Sequence, residues 1–270
     1  FKNNWKLSGG MHYAALDFSD AALRGGPMLR LPSSFNTFVE LNSDSRKKVQ
    51  FGLGFDQTTG ESNSFYNYNA SLDVRYVPIN SFNISVSPSY SYNNENLQYV
   101  QTLSYAGASK YLNASLQQDT FSMSIRLNYT IKPNLSIQYY GAPFISRGRY
   151  TDFKYITNAK ANQFENRFQK YNQNQLNFDA VNDRYLVDEN TDSVTDYSFG
   201  NPNFSIVEFQ SNLVARWEYI PGSEVFLVWS QGIRGAGNPM DKLLPSLNNV
   251  IFGQKAQNIF LIKATYRFMM

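Results

Sequence analysis

Oxygen-bearing side chains stand at alternate positions within residues 188–196 and form a candidate metal site. They are Asp188, Asn190, Asp192 and Asp196. Carboxylate and amide oxygens at this spacing can surround a hard cation such as calcium. However, Ser193 stands where a calcium loop of the EF-hand type places its glycine, and Phe199 stands at the position of its last glutamate. Two interpretations stay open: a calcium ion that stiffens the surrounding loop, or a plain Asx-rich turn.

His12 is the one histidine of the chain, so any histidine-dependent hydrolysis must use it. Such an enzyme needs a nucleophile or carboxylates arranged around the imidazole, and no recognisable motif flanks His12. The alternatives are a hydrolase and a histidine held in a hydrogen-bond network. Two glycine-containing strings, residues 23–27 and 232–237, lack the strand-to-helix context of a phosphate-binding loop, so both are predicted to be loop turns.

Charged residues recur at alternate positions of apolar segments, so they would share one side of each predicted strand. Both signs are present, which allows either selection of ions and solutes or salt bridges that fill a narrow interior. The residues predicted to face this polar interior are His12, Glu40, Asp73, Arg75, Arg126, Glu208, Arg216, Lys263 and Arg267.

About ten segments carry these residues, and in each of them apolar and polar side chains alternate with the period of a β-strand. Residues 121–131 have the clearest pattern, with apolar residues at the odd positions and Ser, Arg, Asn and Thr between them. The last segment, 257–270, repeats the pattern. Aromatic residues at the segment ends are typical of a transmembrane barrel wall with lipid outside and water inside. The weaker alternative is a soluble β-sandwich or solenoid.

The composition agrees with this all-β interpretation. Aromatic residues make up 16% of the 270 residues and charged residues 17%, which is unusually aromatic for a soluble domain. No stretch approaches the ~18 apolar residues that a membrane-spanning helix needs. Cysteine is absent, which excludes disulfides and thiolate metal sites, and the net charge of +3 is too small to predict nucleic-acid binding. Because the chain starts at Phe1 without a signal segment, we expect a mature protein or a fragment.

Connection lengths orient the predicted wall. Short turns with Pro or Gly occur near residues 77–80, 132–134 and 220–223, and residues 43–47 are predicted to form a fourth short turn. Longer connections span 14–34, 57–63, 93–118, 151–204 and 234–256. Barrels of the bacterial outer membrane place tight turns in the periplasm and long loops outside. We therefore expect extracellular long loops and a periplasmic C-terminus.

Two of the long connections allow more specific predictions. Residues 97–117 are compatible with a hairpin that projects from its loop or with two further wall strands. In the extracellular insertion 151–204, Asn158 precedes Ala161, Phe164, Phe168 and Tyr171 at helical spacing, which predicts a short amphipathic helix with an Asn cap.

Several strings along the chain carry a resemblance to a known family. They include residues 22–27, 43–47, 126–129, 137–144, 188–203 and 212–231. In these strings the chain resembles the uncharacterised C-terminal barrel domain of Bacteroidetes outer-membrane proteins that carry an N-terminal family-nine-type carbohydrate-binding module. The resemblance implies that ten strands are part of a larger wall, and that the aromatic near the C-terminus serves as the signal by which such barrels are recognised for insertion. It supplies no catalytic residues.

Three functions follow as hypotheses. The first is a non-enzymatic outer-membrane anchor, or a subunit of a cell-envelope complex, linked to carbohydrate through the absent module. The second is a passive channel for small solutes or oligosaccharides, and the third is an outer-membrane hydrolase. The expected partners are outer-membrane lipid or lipopolysaccharide, envelope proteins and surface polysaccharide. No cofactor is expected other than calcium in residues 151–204.

Overall fold

The alternating segments form one large antiparallel sheet in the computed structural model, which describes residues 2–268. The strands in chain order are β1 (Lys6–Ala14), β2 (Asp17–Ser19), β3 (Leu29–Leu31), β4 (Ser34–Asn42), β5 (Val49–Gly60), β6 (Phe65–Ile79), β7 (Phe82–Tyr105), β8 (Ala108–Lys132), β9 (Leu135–Ile156), β10 (Phe168–Lys170), β11 (Leu176–Asp179), β12 (Arg184–Val187), β13 (Tyr197–Gly200), β14 (Phe204–Ile220), β15 (Ser223–Ala236) and β16 (Gln257–Ala264). One α-helix, α1 (Leu243–Gly253), lies between the last two strands.

Ten strands form the continuous path of the main sheet, in the order β1-β4-β5-β6-β7-β8-β9-β14-β15-β16, and β10 pairs beside β9. Each of the ten predicted segments overlaps one of these ten strands, so the all-β antiparallel prediction is confirmed. The sheet does not close into a barrel within residues 2–268, because no pairing joins its first strand, β1, to its last strand, β16. No helix of the same residues is long and apolar enough to cross a membrane.

The four predicted short turns all lie at one end of the main sheet. They join β4 to β5, β6 to β7, β8 to β9 and β14 to β15. In the last of these turns Gly222 has a φ of +80°, a conformation that glycine adopts without the steric cost of a Cβ. The longer connections lie at the opposite end, as their lengths predict.

Three predicted loops, residues 14–34, 93–118 and 151–204, contain more strand than expected. Residues 93–118 are a hairpin, because β7 and β8 run on for 24 and 25 residues to a two-residue turn at Ala106 and Gly107. Both turn residues have positive φ, which matches the twist of a two-residue hairpin. Residues 14–34 contain the small β2–β3 hairpin. The projecting part of β7 and β8, residues 95–116, extends beyond Phe65, where β6 begins opposite Glu95.

The insertion 151–204 folds onto this projecting hairpin. β9 continues to Ile156, β10 pairs with it, and β11, β12 and β13 form a separate three-stranded sheet. A buried apolar cluster joins these parts and consists of Leu112, Ala114, Phe153, Val187 and Phe199. The predicted helix around residues 158–171 is wrong. Only a short 3-10 turn, Phe164–Arg167, is present, because Phe168 enters β10 and its backbone pairs with Ile156 instead.

Three further sequence predictions need correction at the C-terminal side. Residues 232–236 lie in β15 rather than in a loop turn. Helix α1 occupies part of the connection 234–256. The final strand ends at Ala264 instead of continuing to residue 270, although Thr265 still exchanges backbone hydrogen bonds with Glu224. Residues 269 and 270 of that predicted strand lie outside the described part.

Candidate functional site

The strand register gives the main sheet one polar and one apolar face. Directly paired residues lie on the same face. His12 pairs with Asn36, Asn36 with Thr58, Thr58 with Asn67, and the row continues through Asn93 to Gln118. The polar face is the one that carries this row.

Eight of the nine residues predicted for the interior share the polar face by register: His12, Glu40, Asp73, Arg75, Arg126, Glu208, Arg216 and Lys263. The exception is Arg267, which follows the end of β16. Its backbone N–H donates to Ser223 Oγ at 3.0 Å, and its side chain lies against Gly222. Arg267 therefore belongs to the short-turn end of the sheet.

Some charges of the polar face form cross-strand ion pairs. Glu208 pairs directly with Arg234 in the register, and the Glu208 carboxylate lies 3.1 Å from Arg234 Nε. Arg216 contacts the carboxylate of Glu224, and Glu218 lies 3.8 Å from the same guanidinium. These pairs are partly exposed, so each is expected to stabilise the fold by less than about 1 kcal/mol.

Other charges of the polar face line an open groove of about 400 Å³ near the short turns. Asp73, Arg75 and Arg126 lie in it, together with Ser85 and Ser87. The Arg126 guanidinium lies 5.5 Å from the centre of the Tyr140 ring. None of these three charged residues forms an ion pair in the described part of the chain. The groove is lined mainly by polar and charged side chains.

His12 is exposed on β1, opposite Asn36. Among residues 2–268 no carboxylate or hydroxyl hydrogen bonds to its imidazole. The nucleophile and the orienting acid that a histidine-dependent hydrolase needs are not hydrogen-bonded to His12 in this part of the chain, and the hydrolase stays a prediction.

The apolar face carries two bands of aromatic rings. One band lies toward the long loops and contains Tyr66, Tyr68, Tyr90 and Tyr92, whose rings contact one another through Tyr68. The other lies toward the short turns and includes the ring pairs Phe82–Tyr129 and Trp217–Tyr219. Many apolar side chains of this face are exposed, and Leu53, Leu227 and Ile262 are 47%, 50% and 74% accessible.

An ion pair lies at the loop-side border of the apolar face. Asp119 accepts a hydrogen bond from the Tyr90 hydroxyl at 2.6 Å and one from Arg147 Nε at 3.0 Å. Arg147 also donates to the Asp241 carbonyl in the connection to α1. The pair thus anchors the start of that connection to β8 and β9.

Helix α1 packs on the apolar face next to this ion pair. Leu247 and Val250 are buried against Ile145, Val207 and Ile233. Sequence analysis missed this helix, although its apolar residues at 243, 244, 247, 250 and 251 have helical spacing and Pro245 stands in its first turn. Leu244 and Phe252 of the same helix are exposed.

The four candidate calcium ligands lie together in the loop between β12 and β13. Asp188 accepts backbone N–H groups of Asp192 and Ser193, and Asp196 accepts that of Glu189 at 2.8 Å. Asn190 donates to Asp192 at 3.0 Å. These contacts are typical of an Asx-rich turn. No group of three His, Asp or Glu side chains in residues 2–268 is arranged to hold a metal ion, and calcium binding stays a prediction.

A polar cluster that sequence analysis missed fixes the insertion to the projecting hairpin. Lys110 contacts the Glu189 carboxylate, and its Nζ lies 3.9 Å from the centre of the Tyr155 ring. Tyr197 donates to Glu189, and its hydroxyl lies 2.8 Å from that of Tyr171. Burial raises the pKa of both tyrosines well above the usual value, and Glu189 raises that of Tyr197 further. No sequence pattern links these residues, because they are up to 87 positions apart.

Together the fold and its two faces define an all-β protein built on a single large amphipathic antiparallel sheet with a layer of folded connections at one end. Residues 1–269 match the family described as "Domain of unknown function (DUF5916)". The chain belongs to this family. No curated protein matches it.

Proposed function

We propose that this chain forms the wall of a bacterial outer-membrane β-barrel that anchors and displays its folded connections at the cell surface. One observation carries the proposal: an exposed apolar face, bordered by two bands of aromatic rings, extends over a sheet of ten antiparallel strands. A soluble protein seldom exposes an apolar surface of this size to water. The acyl chains of lipids can cover such a surface without an unfavourable free energy of solvation.

The dimensions of the apolar face support the proposal. On β8 the two bands are represented by Phe121 and Tyr129, which are eight residues apart. At ~3.3 Å per residue they are separated by about 26 Å along the strand, or about 20 Å along the membrane normal for a strand tilted by ~40°. A transmembrane barrel has an apolar band of about 25 Å.

The proposal requires that the sheet closes, because lipid cannot satisfy the backbone groups of an open edge. The edges available for closure are those of β1 and β16. They would pair with each other directly or through further strands of a larger wall. In this arrangement the polar face lines the lumen, the short turns and the C-terminus lie in the periplasm, and the insertion 151–204 is extracellular.

The displayed layer is where we expect partners. Envelope proteins and surface polysaccharide are proposed to meet the insertion and the projecting hairpin, while outer-membrane lipid or lipopolysaccharide surrounds the apolar face. A link to carbohydrate through an additional module of a Bacteroidetes protein is part of the same proposal. None of these roles requires catalysis by His12.

Solubility and lipid binding test the proposal. The chain is refolded with and without dodecyl maltoside, and both samples are then mixed with phospholipid vesicles and centrifuged through a density gradient. We expect a folded, protease-resistant protein only in detergent or lipid, and flotation with the vesicles. A chain that is monomeric and folded in detergent-free buffer and stays at the bottom of the gradient would refute the proposal.

A passive channel is the second candidate, and the small side chains of the polar face favour it. Ser87, Ser89 and Ser91 follow one another on β7, and Gly52 and Gly54 lie on the same face of β5. Such residues leave room for water in a closed barrel. Discrete single-channel conductance in planar bilayers is expected for a channel, and silent bilayers leave the anchor as the function.

A further inference from the structure

A cavity of about 550 Å³ lies between the β2–β3 hairpin, the projecting part of β7 and the 3-10 turn Phe164–Arg167. Much of its wall is apolar, with Leu29, Leu97, Phe65 and Phe164 among the lining residues. Three arginines also line it: Arg24, Arg30 and Arg167. The cavity thus combines apolar walls with three guanidinium groups.

Arg167 is the unusual member of this group. The residue is 2% exposed, its Nε donates to the Ala161 carbonyl at 3.0 Å, and a second nitrogen donates to the Asn162 carbonyl at 3.3 Å. Its Nη1 has no hydrogen-bond partner within residues 2–268. Arginine keeps its charge in proteins, and this buried cation forms no ion pair within residues 2–268, although Glu61 attracts it from a greater distance. Burial lowers the pKa of Arg167, and Arg30 lowers it further.

The other two arginines are also free of ion pairs in the described part of the chain. Arg30 donates to the side-chain oxygen of Asn162, and the Arg24 guanidinium lies 5.1 Å from the centre of the Tyr99 ring. Arg24 has a left-handed backbone with a φ of 47° and is exposed. Three like charges around one cavity repel one another unless an anion lies between them.

None of the carboxylates near the cavity forms an ion pair with these three arginines in the described part of the chain. Glu61 attracts Arg30 and Arg167 from beyond ion-pair distance, but its carboxylate is held by the Ser33 hydroxyl at 2.9 Å. Asp17 accepts the backbone N–H of Phe18 at 2.7 Å. Burial raises the pKa of Glu95, in the projecting hairpin, to about 7, so this carboxyl is only partly ionised at neutral pH. A protonated Glu95 would itself be a hydrogen-bond donor toward an anion.

We propose that this cavity binds a small organic anion, whose carboxylate or phosphate group meets Arg167 and Arg30 and whose compact apolar body contacts Phe65, Phe164 and Leu97. Guanidinium groups bind both oxyanions through paired, charge-assisted hydrogen bonds. The free Nη1 of Arg167 supplies the donor that no protein atom uses. This inference does not depend on membrane insertion.

Calorimetry and thermal unfolding with defined probes test this site on the full chain in dodecyl maltoside. Benzoate and phenyl phosphate represent soluble anions, dihexanoyl phosphatidic acid represents a lipid headgroup, and benzyl alcohol is the uncharged control. We expect at least one anion to bind and to raise the unfolding temperature, and to bind at least tenfold more tightly than benzyl alcohol. Binding of benzoate or phenyl phosphate would indicate a soluble anion as the ligand, and binding of dihexanoyl phosphatidic acid would indicate a lipid headgroup.

Variants assign the binding to the cavity. Arg30→Gln and Arg167→Gln should each weaken anion binding by about tenfold or more, the range expected for one lost charge-assisted contact. Arg184→Gln is the matched control, because Arg184 is exposed on β12 and contacts Ser198 outside the cavity. If Arg167→Gln does not fold, the anion affinities of Arg30→Gln and Arg24→Gln decide whether the cavity is the binding site. The proposal is overturned if no anion binds more tightly than benzyl alcohol, or if the folded variants bind as the unaltered chain does.

Discussion

Replacement of Ile125 by arginine probes the apolar face at its centre. Ile125 lies on β8 midway between the two aromatic bands, pairs with Val86 on β7 and Gly141 on β9, and is half-buried. Ser124 is its chain neighbour on the polar face, opposite Ser87. Ile125→Arg and Ser124→Arg therefore add the same charge to the same strand on opposite sides of the sheet.

The two variants should differ clearly in the free energy of unfolding. An arginine at the lipid-facing midplane of a transmembrane barrel costs about 2–4 kcal/mol, which changes the ratio of folded to unfolded protein by ~30-fold to ~1000-fold. On the polar face the new side chain stays in water. Its main cost is repulsion by Arg126, two residues along the strand, which is expected to be below about 1 kcal/mol.

Urea unfolding of the chain in phospholipid vesicles, followed by tryptophan fluorescence, measures this difference. The unaltered chain and both variants are compared at equal lipid concentration after reversibility has been shown. We expect Ile125→Arg to be less stable than Ser124→Arg by at least about 1 kcal/mol. Equal stabilities, or a loss below about 1 kcal/mol for Ile125→Arg, would contradict the assignment of the apolar face to lipid.

Four other perturbations have defined outcomes. Lys154, in the projecting part of the fold, is buried, and its Nζ donates to the Asn96 carbonyl at 2.6 Å and to Ser115 at 3.0 Å. Burial lowers the pKa of Lys154 from 10.5 to about 8. Because the unfolded chain binds more protons than the folded chain between these two values, the free energy of unfolding should rise with pH by about 3 kcal/mol. Unfolding curves at pH 7 and 10.5 should show this rise for the unaltered chain but not for Lys154→Met. Asp119→Asn should lower the free energy of unfolding by about 2–3 kcal/mol, because Arg147 loses its counter-ion. Asp73→Asn on the polar face should lower it little, and equal effects of the two variants would contradict the role of the ion pair. Leu247→Ala should lower the free energy of unfolding by about 2–3 kcal/mol and speed amide hydrogen exchange in α1. Leu244→Ala, at a position that is 55% exposed, should leave that exchange unchanged. Calcium should release heat on binding and raise the unfolding temperature if it binds residues 188–196, and an unchanged melting curve without heat leaves the Asx-rich turn as the interpretation.

The ten strands of the main sheet and their two faces were predictable because side-chain direction in a strand depends only on position along the chain. The alternation in residues 121–131 assigns Ile125 and Arg126 to opposite faces before any partner strand is known. The short turns were predictable for a similar reason, because Pro and Gly act on their own backbone. Eight of the nine predicted interior residues consequently lie on one face.

The layer of connections was less predictable. The spacing of Phe164, Phe168 and Tyr171 fits a helix, yet Phe168 pairs with Ile156 in β10, because the edge of β9 offers backbone partners that a local pattern does not contain. The cluster of Lys110, Glu189 and Tyr197 and the cavity around Arg167 likewise bring distant segments together. Local spacing carries no information about such contacts.

The alternation that runs through the strands to residue 264 determined by itself that this protein is an antiparallel all-β sheet with one polar and one apolar face. The tertiary structure alone decided that α1 covers part of the apolar face, that the sheet is open between β1 and β16 in residues 2–268, and that a buried, unpaired Arg167 lines a cavity beneath the β2–β3 hairpin. The physical reason is the range of the interactions: the direction of a side chain follows from its own backbone, whereas burial and charge compensation depend on which distant segments pack against it.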